Sequence, residues 1–392
     1  MSAAVTAYGL RTALGSKVEE VFSRLVSGEC AALMSPSFST ETYPVRFGAV
    51  LKAPLRPSRH ARFVRRLGQH AIEVGREVFE HAGLSSGPRL GLFFATGTLS
   101  TDFEELAPKL RRQRSDAENC WSLGLGELHP FWLLRHLSNN AHGLLAADLG
   151  AKGEGLVCAG TNAAAQTIAS AAEALEVGSI DVALVVAMDS LVVPEVLVSP
   201  STLFREPAGA PKPPYGLGSR GAFPGEAVAA LCLERVADAG PRALALIEAH
   251  AFADGSPGEP SEETLAHAVA ELAGRSVKLV DGAGRARRDF DDAERRSLGR
   301  ALGETALLSA TSAALGVTGA AHSAVQAILL IEMLRRGIVP AIAGLEDPAP
   351  GPLTPARSLE TVRDGSAIGV STGAPGLVGV VRVELMATPR KY

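Results

Sequence analysis

A single cysteine stands where its chemistry and its surroundings could make it a nucleophile. An apolar run leads into Cys158, a turn of small residues follows, and an alanine-rich helical pattern extends through Ala174. The pattern predicts a strand, a tight turn and a helix, with Cys158 at the helix N-terminus. Unpaired backbone N–H groups and the helix dipole favour negative charge there, so they should lower the thiol pKa. A small buried cysteine in a core turn is the alternative, and this stretch alone does not separate the two interpretations.

The bulk composition describes a globular protein with no nucleic-acid or membrane partner. The chain has 392 residues, of which 46% are hydrophobic and 20% charged. This length suffices for a large core or for two fused core units. The formal net charge of −4 gives no reason to expect nucleic acid or an anionic membrane. No apolar run reaches the ~20 residues of a membrane span, and residues 1–5 do not begin a signal peptide, so we expect a cytoplasmic protein.

The cysteines and glycines give no sign of a metal or a cofactor. The four cysteines, at positions 30, 120, 158 and 232, form neither a CxxC pair nor a zinc-binding spacing. This scatter predicts free thiols in a reducing compartment. The Gly-Ala-Gly at residues 282–284 is a turn rather than the GxGxxG of a dinucleotide site, and no phosphate-binding loop is present.

The elements that must position Cys158 alternate between strands and helices. The run Val182–Met188 is apolar throughout, which is typical of a strand covered on both faces. Around it, apolar runs predict strands over Ala3–Leu10, Arg89–Ala95 and Glu226–Glu234, and helical periodicity predicts helices over Val18–Val26 and Arg62–Ala82 and from Pro130 to Leu149.

The second half of the chain repeats this outline. The segments Gly160–Gly178 and Gly319–Gly337 each begin at a small-residue turn, are rich in alanine and end at a glycine about five turns on. This equal spacing predicts an internal duplication of strand–turn–helix units. We therefore expect an α/β protein with two similar halves, residues 1–241 and 242–392. Strands of the second half are predicted at Ala243–Ala251, Val277–Val280, Ala306–Ala310 and Gly376–Leu385.

Four short motifs follow one another along the chain. They are Thr6, Gly9, Thr12 and Leu14-Gly15 in the pattern TGxGxxTPLG, with Ala13 in place of the proline, Ala82-Gly83-Leu84 in AGL, Val157–Ala163 at the place of TACASG, and Pro224–Leu231 at the place of GEGAAALVLE. In this order they resemble the β-ketoacyl synthase (condensing enzyme) family of the thiolase superfamily. The resemblance implies a thiolase-like fold with α-β-α-β-α layers. It also implies Cys158 as the residue that accepts an acyl group.

The resemblance breaks down at the other catalytic positions of the family, which uses one cysteine and two histidines. Its motif HGTGTPLGD aligns with residues 281–289, where Asp281 stands at the histidine and Asp289 matches the closing aspartate. Its motif KSxxGHTxGAAG aligns from Thr311 onward, so that Thr311 replaces the lysine and Gly316 the histidine. The closing loop GFGGxN aligns with residues 369–374, and its phenylalanine gate is absent.

These losses favour acyl transfer over condensation. Decarboxylative condensation needs donors that hold the developing negative charge, and each lost donor costs on the order of 10²–10³ in rate. Acyl transfer needs only a thiolate and an oxyanion hole. The resemblance assigns that hole to the Cys158 N–H and to one N–H from a loop formed by Gly369, Val370, Ser371 and Thr372.

Deacylation would benefit from a general base. Asp281, His322 and His142 are the candidates. The alternatives are a loop-capping carboxylate for Asp281 and packing histidines for the other two. By position alone, Thr161, Asn162 and Met188 are expected to line the acyl site.

Three functions remain open. The first is a ketosynthase-like acyltransferase that takes an acyl group from acyl-carrier protein or CoA onto Cys158 and passes it on without condensation, in polyketide or fatty-acid-type secondary metabolism. The second is a non-condensing partner subunit that resembles a chain-length factor. The third is an active synthase with relocated catalytic groups. We favour the first because the cysteine is kept, and expect a homodimer or a heterodimer with a ketosynthase.

Overall fold

The computed structural model describes residues 1–34, 37–97, 128–198, 211–219, 221–274, 277–363 and 365–386. Cys120 lies outside these residues. Fifteen strands are present in them: β1 (Ser2–Thr12), β2 (Leu33–Met34), β3 (Phe47–Gly48), β4 (Leu90–Thr96), β5 (Gly155–Ala159), β6 (Val182–Ser190), β7 (Glu226–Glu234), β8 (Ala245–Ala253), β9 (Val277–Asp281), β10 (Leu307–Ser309), β11 (Ile338–Val339), β12 (Thr354–Pro355), β13 (Glu360–Thr361), β14 (Ser366–Gly373) and β15 (Leu377–Leu385).

One sheet of 11 strands contains the same five-stranded arrangement twice. Its order is β12-β10-β9-β14-β15-β8-β1-β7-β6-β4-β5. The short strand β12 adds to the edge of the second half and has no counterpart in the first. When the other strands of each half are counted along the chain, both halves have the third strand farthest out, followed by the second, fourth, fifth and first. The pairing directions within the two five-stranded sets also repeat, since the second strand is parallel to its two neighbours and the other pairs are antiparallel. The predicted internal duplication is therefore present in the topology.

Helices cover both faces of each half. They are α1 (Val18–Val26), α2 (Arg66–His81), α3 (Trp132–His136), α4 (Asn140–Leu149), α5 (Ala163–Glu176), α6 (Pro194–Val198), α7 (Val236–Ala239), α8 (Glu262–Ala273), α9 (Arg288–Leu302), α10 (Ser312–Leu315) and α11 (His322–Arg336). The repeat extends to them, because α5 follows the third strand of its half and the α10–α11 segment follows the third strand of the other. Among the described residues, no helix is long and apolar enough to cross a bilayer.

The layers follow from which helix faces are apolar. Helices α2 and α4 pack on the outer face of the first half, and α8 packs on the outer face of the second half together with α9. Helices α5 and α11 lie between the halves, where α5 contacts β8 and β15 and α11 contacts β7 and β1. Alanine on α5 allows this close packing, and α11 is buried from His322 to Leu334. The expected α-β-α-β-α architecture is confirmed.

The predicted elements agree with the structure where periodicity is clear. Helix α1 and strand β7 have the predicted bounds. The single helix predicted from Pro130 to Leu149 is wrong, because Leu137 has an extended backbone that separates α3 from α4. The division at residues 241 and 242 falls between β7 and β8 and stays a prediction.

Candidate elbow site

The elbow that the sequence predicts around Cys158 exists, but the cysteine is not at its tip. Strand β5 ends at Ala159, and α5 begins at Ala163. Cys158 is paired with Ala95 inside the sheet, five residues before the first helical residue. The turn between strand and helix consists of residues 160–162, and Gly160 has a φ of 117°, which favours glycine. The prediction that Cys158 lies at the helix N-terminus is therefore wrong.

The environment of Cys158 does not activate its thiol. The side chain is half-buried and packs against the main core. Burial raises the pKa of Cys158, because desolvation disfavours the thiolate. The lowered pKa that the sequence predicts for Cys158 is therefore also wrong.

Thr161 is the side chain at the tip of the elbow. Its hydroxyl Oγ1 is buried and has no hydrogen-bond partner among the described residues. It lies against Gly373 at the end of β14, where a Cβ atom would overlap the hydroxyl. The next residue, Asn162, fixes the turn, since its Nδ2 donates to the Phe252 carbonyl at 3.2 Å and its Oδ1 accepts from Gln166 at 3.2 Å. Thr161, unlike Asn162, thus keeps an unused polar atom.

The segment that aligns with the family's gate loop is a strand here. Residues Gly369, Val370, Ser371 and Thr372 all belong to β14 and pair in register with β15, so the expected loop is wrong. The physical reason is that this strand is covered on both faces: all four residues are buried. The Ser371 hydroxyl lies 2.8 Å from that of Ser323 on α11, and the Val370 carbonyl accepts from the Gln326 amide at 2.9 Å.

Asp281 has its carboxylate committed to a structural contact. It ends β9 and is fully buried. Its Oδ1 accepts from the Thr311 backbone N–H at 2.8 Å, and its Oδ2 accepts from the Thr311 hydroxyl at 2.7 Å. Burial raises the pKa of Asp281, while the bonds from Thr311 oppose that rise. These bonds match the loop-capping alternative.

The two candidate histidines occupy different layers. His322 begins α11, is 4% exposed, and has its Nδ1 3.0 Å from the Thr318 hydroxyl, while its Nε2 is buried without a partner in the described part of the chain. Burial, assisted by the charge of Arg285, lowers the pKa of His322 to about 3, so the imidazole is neutral at pH 7. His142 lies on α4 in the outer layer and hydrogen-bonds the Leu92 carbonyl at 3.1 Å.

Met188 lines a small cavity that is separate from the elbow tip. The cavity has a volume of about 60 Å³, and its wall includes Thr96, Met188, Asp189 and Asn140 but neither Thr161 nor Asn162. Burial raises the pKa of Asp189 to about 6, although its carboxylate accepts the Ala320 N–H at 2.8 Å. Of the three residues expected to line one acyl site, only Met188 lines this cavity.

The residue that sequence reasoning missed is Arg285. It follows Gly284 in the segment aligned with the first histidine motif, and it is only 2% exposed. Its Nη2 donates to the Thr372 carbonyl and, at 3.2 Å, to the Thr372 hydroxyl. Several arginines close together in a sequence indicate a charged surface segment. The fold shows that the Arg285 side chain is buried instead.

The five layers and the strand–turn–helix elbow define a thiolase-like protein. Family models agree: the "Beta-ketoacyl synthase, N-terminal domain" matches residues 2–239, and the "Beta-ketoacyl synthase, C-terminal domain" matches residues 262–346. The chain belongs to the β-ketoacyl synthase family. This confirms the resemblance inferred from the motifs.

Individual relatives are distant. The 3-oxoacyl-(acyl-carrier-protein) synthase 2 of Vibrio harveyi is 23% identical over 380 residues, a match that covers 88% of this chain and 89% of the relative. A β-ketoacyl synthase from Burkholderia phymatum STM815 superimposes with a TM-score of 0.83 at 20% identity, covering 98% and 99% of the two chains. The ishigamide ketosynthase/chain length factor superimposes with a TM-score of 0.84 at 18% identity and the same coverage. These two structures share the fold of this chain.

Proposed function

We propose that the chain is a non-condensing subunit of a β-ketoacyl synthase-type complex, similar to a chain-length factor, and that it pairs with a second chain of the same fold. The observation that carries this proposal is the side chain at the tip of the elbow. Thr161 stands there in place of a cysteine, and Cys158 lies three residues earlier within β5. The order of the three sequence-based functions is thereby changed, since the retained cysteine was the argument for acyl transfer.

In the described part of the chain, no base is hydrogen-bonded to the Thr161 hydroxyl to turn it into a nucleophile. A threonine hydroxyl needs an adjacent general base for nucleophilic catalysis. His322, with a pKa of about 3, is a poor proton acceptor at pH 7. Asp281 already accepts two hydrogen bonds from Thr311. The groups near the elbow therefore supply binding contacts but no activation.

The position of the family's first histidine also lacks a histidine when the motif is aligned on a buried closing aspartate. Asp289, which the sequence alignment matches to the closing aspartate, has a side chain that is 73% exposed. Asp291 is buried, and its carboxylate accepts the backbone N–H groups of Tyr215 and Arg285 at 2.9 and 3.1 Å. If Asp291 is the closing aspartate of the motif, its histidine position falls on Ala283, eight residues earlier. Neither alignment supplies a histidine.

The second histidine position has no room for a side chain. Gly316 has a φ of 77°, and a Cβ atom there would lie 2.9 Å from the ring and the carbonyl oxygen of Phe223. Such a contact is closer than real Cβ atoms show, so a histidine could enter only if this segment moved. Together with Ala283, this removes both donors that condensation requires.

The exposed edge of β5 supports a paired subunit. This strand ends the sheet, and Leu156 on it is 39% exposed. An edge strand that carries apolar side chains is a template for pairing with another chain. A second chain of the same fold, with its own cysteine and histidines, would supply the chemistry. One similar structure, the ishigamide ketosynthase/chain length factor, carries the names of both kinds of chain.

Acyl carriers enter this proposal as ligands of the pair. Relatives of the chain include a 3-oxoacyl-(acyl-carrier-protein) synthase, so thioesters of acyl-carrier protein or of CoA are the expected substrates of the complex. In the pair, we expect the partner to hold the acyl thioester and this chain to shape the space around the growing acyl group.

We predict that the chain alone forms no 3-oxoacyl product from hexanoyl- and malonyl-acyl-carrier protein. The rate losses from the missing nucleophile and from both missing donors multiply. The rate of condensation with this chain should therefore not exceed the rate without protein. Product can be measured by mass spectrometry, with a synthase that has the cysteine and both histidines as the positive control. Turnover by this chain within two orders of magnitude of that control would contradict the proposal.

A further inference from the structure

Arg285 is a buried cation for which the structure supplies few partners. Its side chain donates to the carbonyl and the hydroxyl of Thr372, and its Nε is buried without a hydrogen-bond partner among the described residues. We propose that Arg285 is a plug that fills the space in front of Thr161 and excludes a thioester arm from this subunit. We call this space the elbow chamber, and define it by Thr161, Arg285, His322 and Thr372.

One hydrogen bond, one packing contact and one electrostatic interaction define the elbow chamber. Thr372 accepts from Arg285 and precedes Gly373, whose Cα lies against the Thr161 hydroxyl. His322 lies close enough for the Arg285 charge to lower its pKa. Three of the four residues carry a buried polar atom that no described group satisfies: Thr161 Oγ1, Arg285 Nε and His322 Nε2. The guanidinium therefore lies within a polar chamber rather than in an apolar core.

The loop that carries Arg285 is fixed by buried carboxylates on α9. Glu294 accepts the Ala283 N–H at 2.7 Å and the Gly284 N–H at 3.2 Å, and Asp291 accepts the Arg285 N–H at 3.1 Å. The following residue, Ala286, has a φ of 51°, a conformation that costs on the order of 1 kcal/mol for a residue with a Cβ. The backbone is thus held in an unfavourable geometry that directs the Arg285 side chain inward.

Among the described residues, no carboxylate forms a salt bridge with Arg285, although burial raises the pKa of Glu294 and the charge of Arg285 opposes that rise. Burying a charge is costly unless it is paired, and the two nearby carboxylates already accept backbone N–H groups. An apolar side chain of similar length would fill the same volume at lower cost. A steric role at the elbow accounts for a buried cation that has no salt-bridge partner among the described residues.

The plug can be tested by placing a reporter thiol behind it. Thr161→Cys puts a cysteine at the elbow tip, and the rate of its alkylation by iodoacetamide, followed at the peptide level by mass spectrometry, measures access to the chamber. The same substitution is combined with Arg285→Ala, Arg285→Val and Arg285→Met. All of these variants also carry Cys158→Ala, because residues 158 and 161 fall on one tryptic peptide, and peptide-level detection then separates the reporter from the other native cysteines.

We expect alkylation of the reporter to be at least tenfold faster with alanine at position 285 than with arginine, with valine intermediate and methionine close to arginine. The graded series keeps the test decisive if the alanine variant does not fold. Equal rates for arginine and for the smaller residues would overturn the proposal, as would a methionine variant as fast as the valine variant. The inference does not depend on the non-condensing role, because alkylation reports access alone.

Discussion

Leu156→Arg is expected to convert pairs of this chain into single chains. Strand β5 is one of the two edge strands of the sheet that the described residues form, and Leu156 is its most apolar exposed side chain. In the absence of a different partner, we expect this edge to pair with a second copy. A charge at the centre of that interface would remain buried and unpaired, which costs several kcal/mol. Light scattering at tens of micromolar should give the mass of two chains for the wild type and of one chain for the variant.

A matched substitution shows whether the effect belongs to the β5 edge. Val177→Arg places the same charge on a side chain that is 70% exposed, just after the end of α5. This variant should keep the mass of two chains. A wild-type protein that is a single chain under these conditions, or a Leu156→Arg variant that stays paired, would contradict the assignment of this edge as the interface.

Glu294→Ala is expected to destabilise the protein by about 3 kcal/mol or more. Glu294 is fully buried and accepts three hydrogen bonds, from the Ala283 N–H, the Gly284 N–H and the Tyr215 hydroxyl. Alanine leaves all three donors buried without their acceptor, and each such donor costs about 1–3 kcal/mol. The free energy of unfolding from urea titrations measures the loss.

Tyr215→Phe is the control for the Glu294 variant, because it removes one of the three hydrogen bonds and leaves the two backbone bonds in place. We expect it to cost about 1 kcal/mol. If the alanine variant is destabilised no more than the phenylalanine variant, Glu294 does not hold the loop of Arg285.

The fold was predictable from the sequence where a single physical signal dominates. The apolar run of β7 and the amphipathic period of α1 define their elements, and the matching Gly160–Gly178 and Gly319–Gly337 segments indicate the duplication that the sheet order contains. Helix α9 escapes such reasoning because its sequence is largely charged and suggests a solvated segment. Its buried face arises where it packs against α8.

The elbow site was predictable in kind but not in register. Small residues after Cys158 allow the turn to begin at several positions, and the chain begins it at Gly160. The distinction matters because three residues along the chain separate a thiol inside β5 from the hydroxyl at the tip. Arg285 was not predictable at all, since the direction of its side chain depends on carboxylates of α9 that bind its loop.

The central claim is that no residue of this chain becomes an acyl-enzyme, and the intact mass of the protein tests it most directly. Wild type and Cys158→Ala are each incubated at pH 7 with acetyl-CoA, hexanoyl-CoA and hexanoyl-acyl-carrier protein. Because burial raises the pKa of Cys158, the thiolate is scarce at pH 7 and grows as the pH rises, so non-specific acylation should appear only in alkaline solution.

We predict an unchanged mass for both proteins at pH 7 with every thioester. An acyl adduct on the wild type that is absent from Cys158→Ala at pH 7 would contradict the account and restore acyl transfer through Cys158.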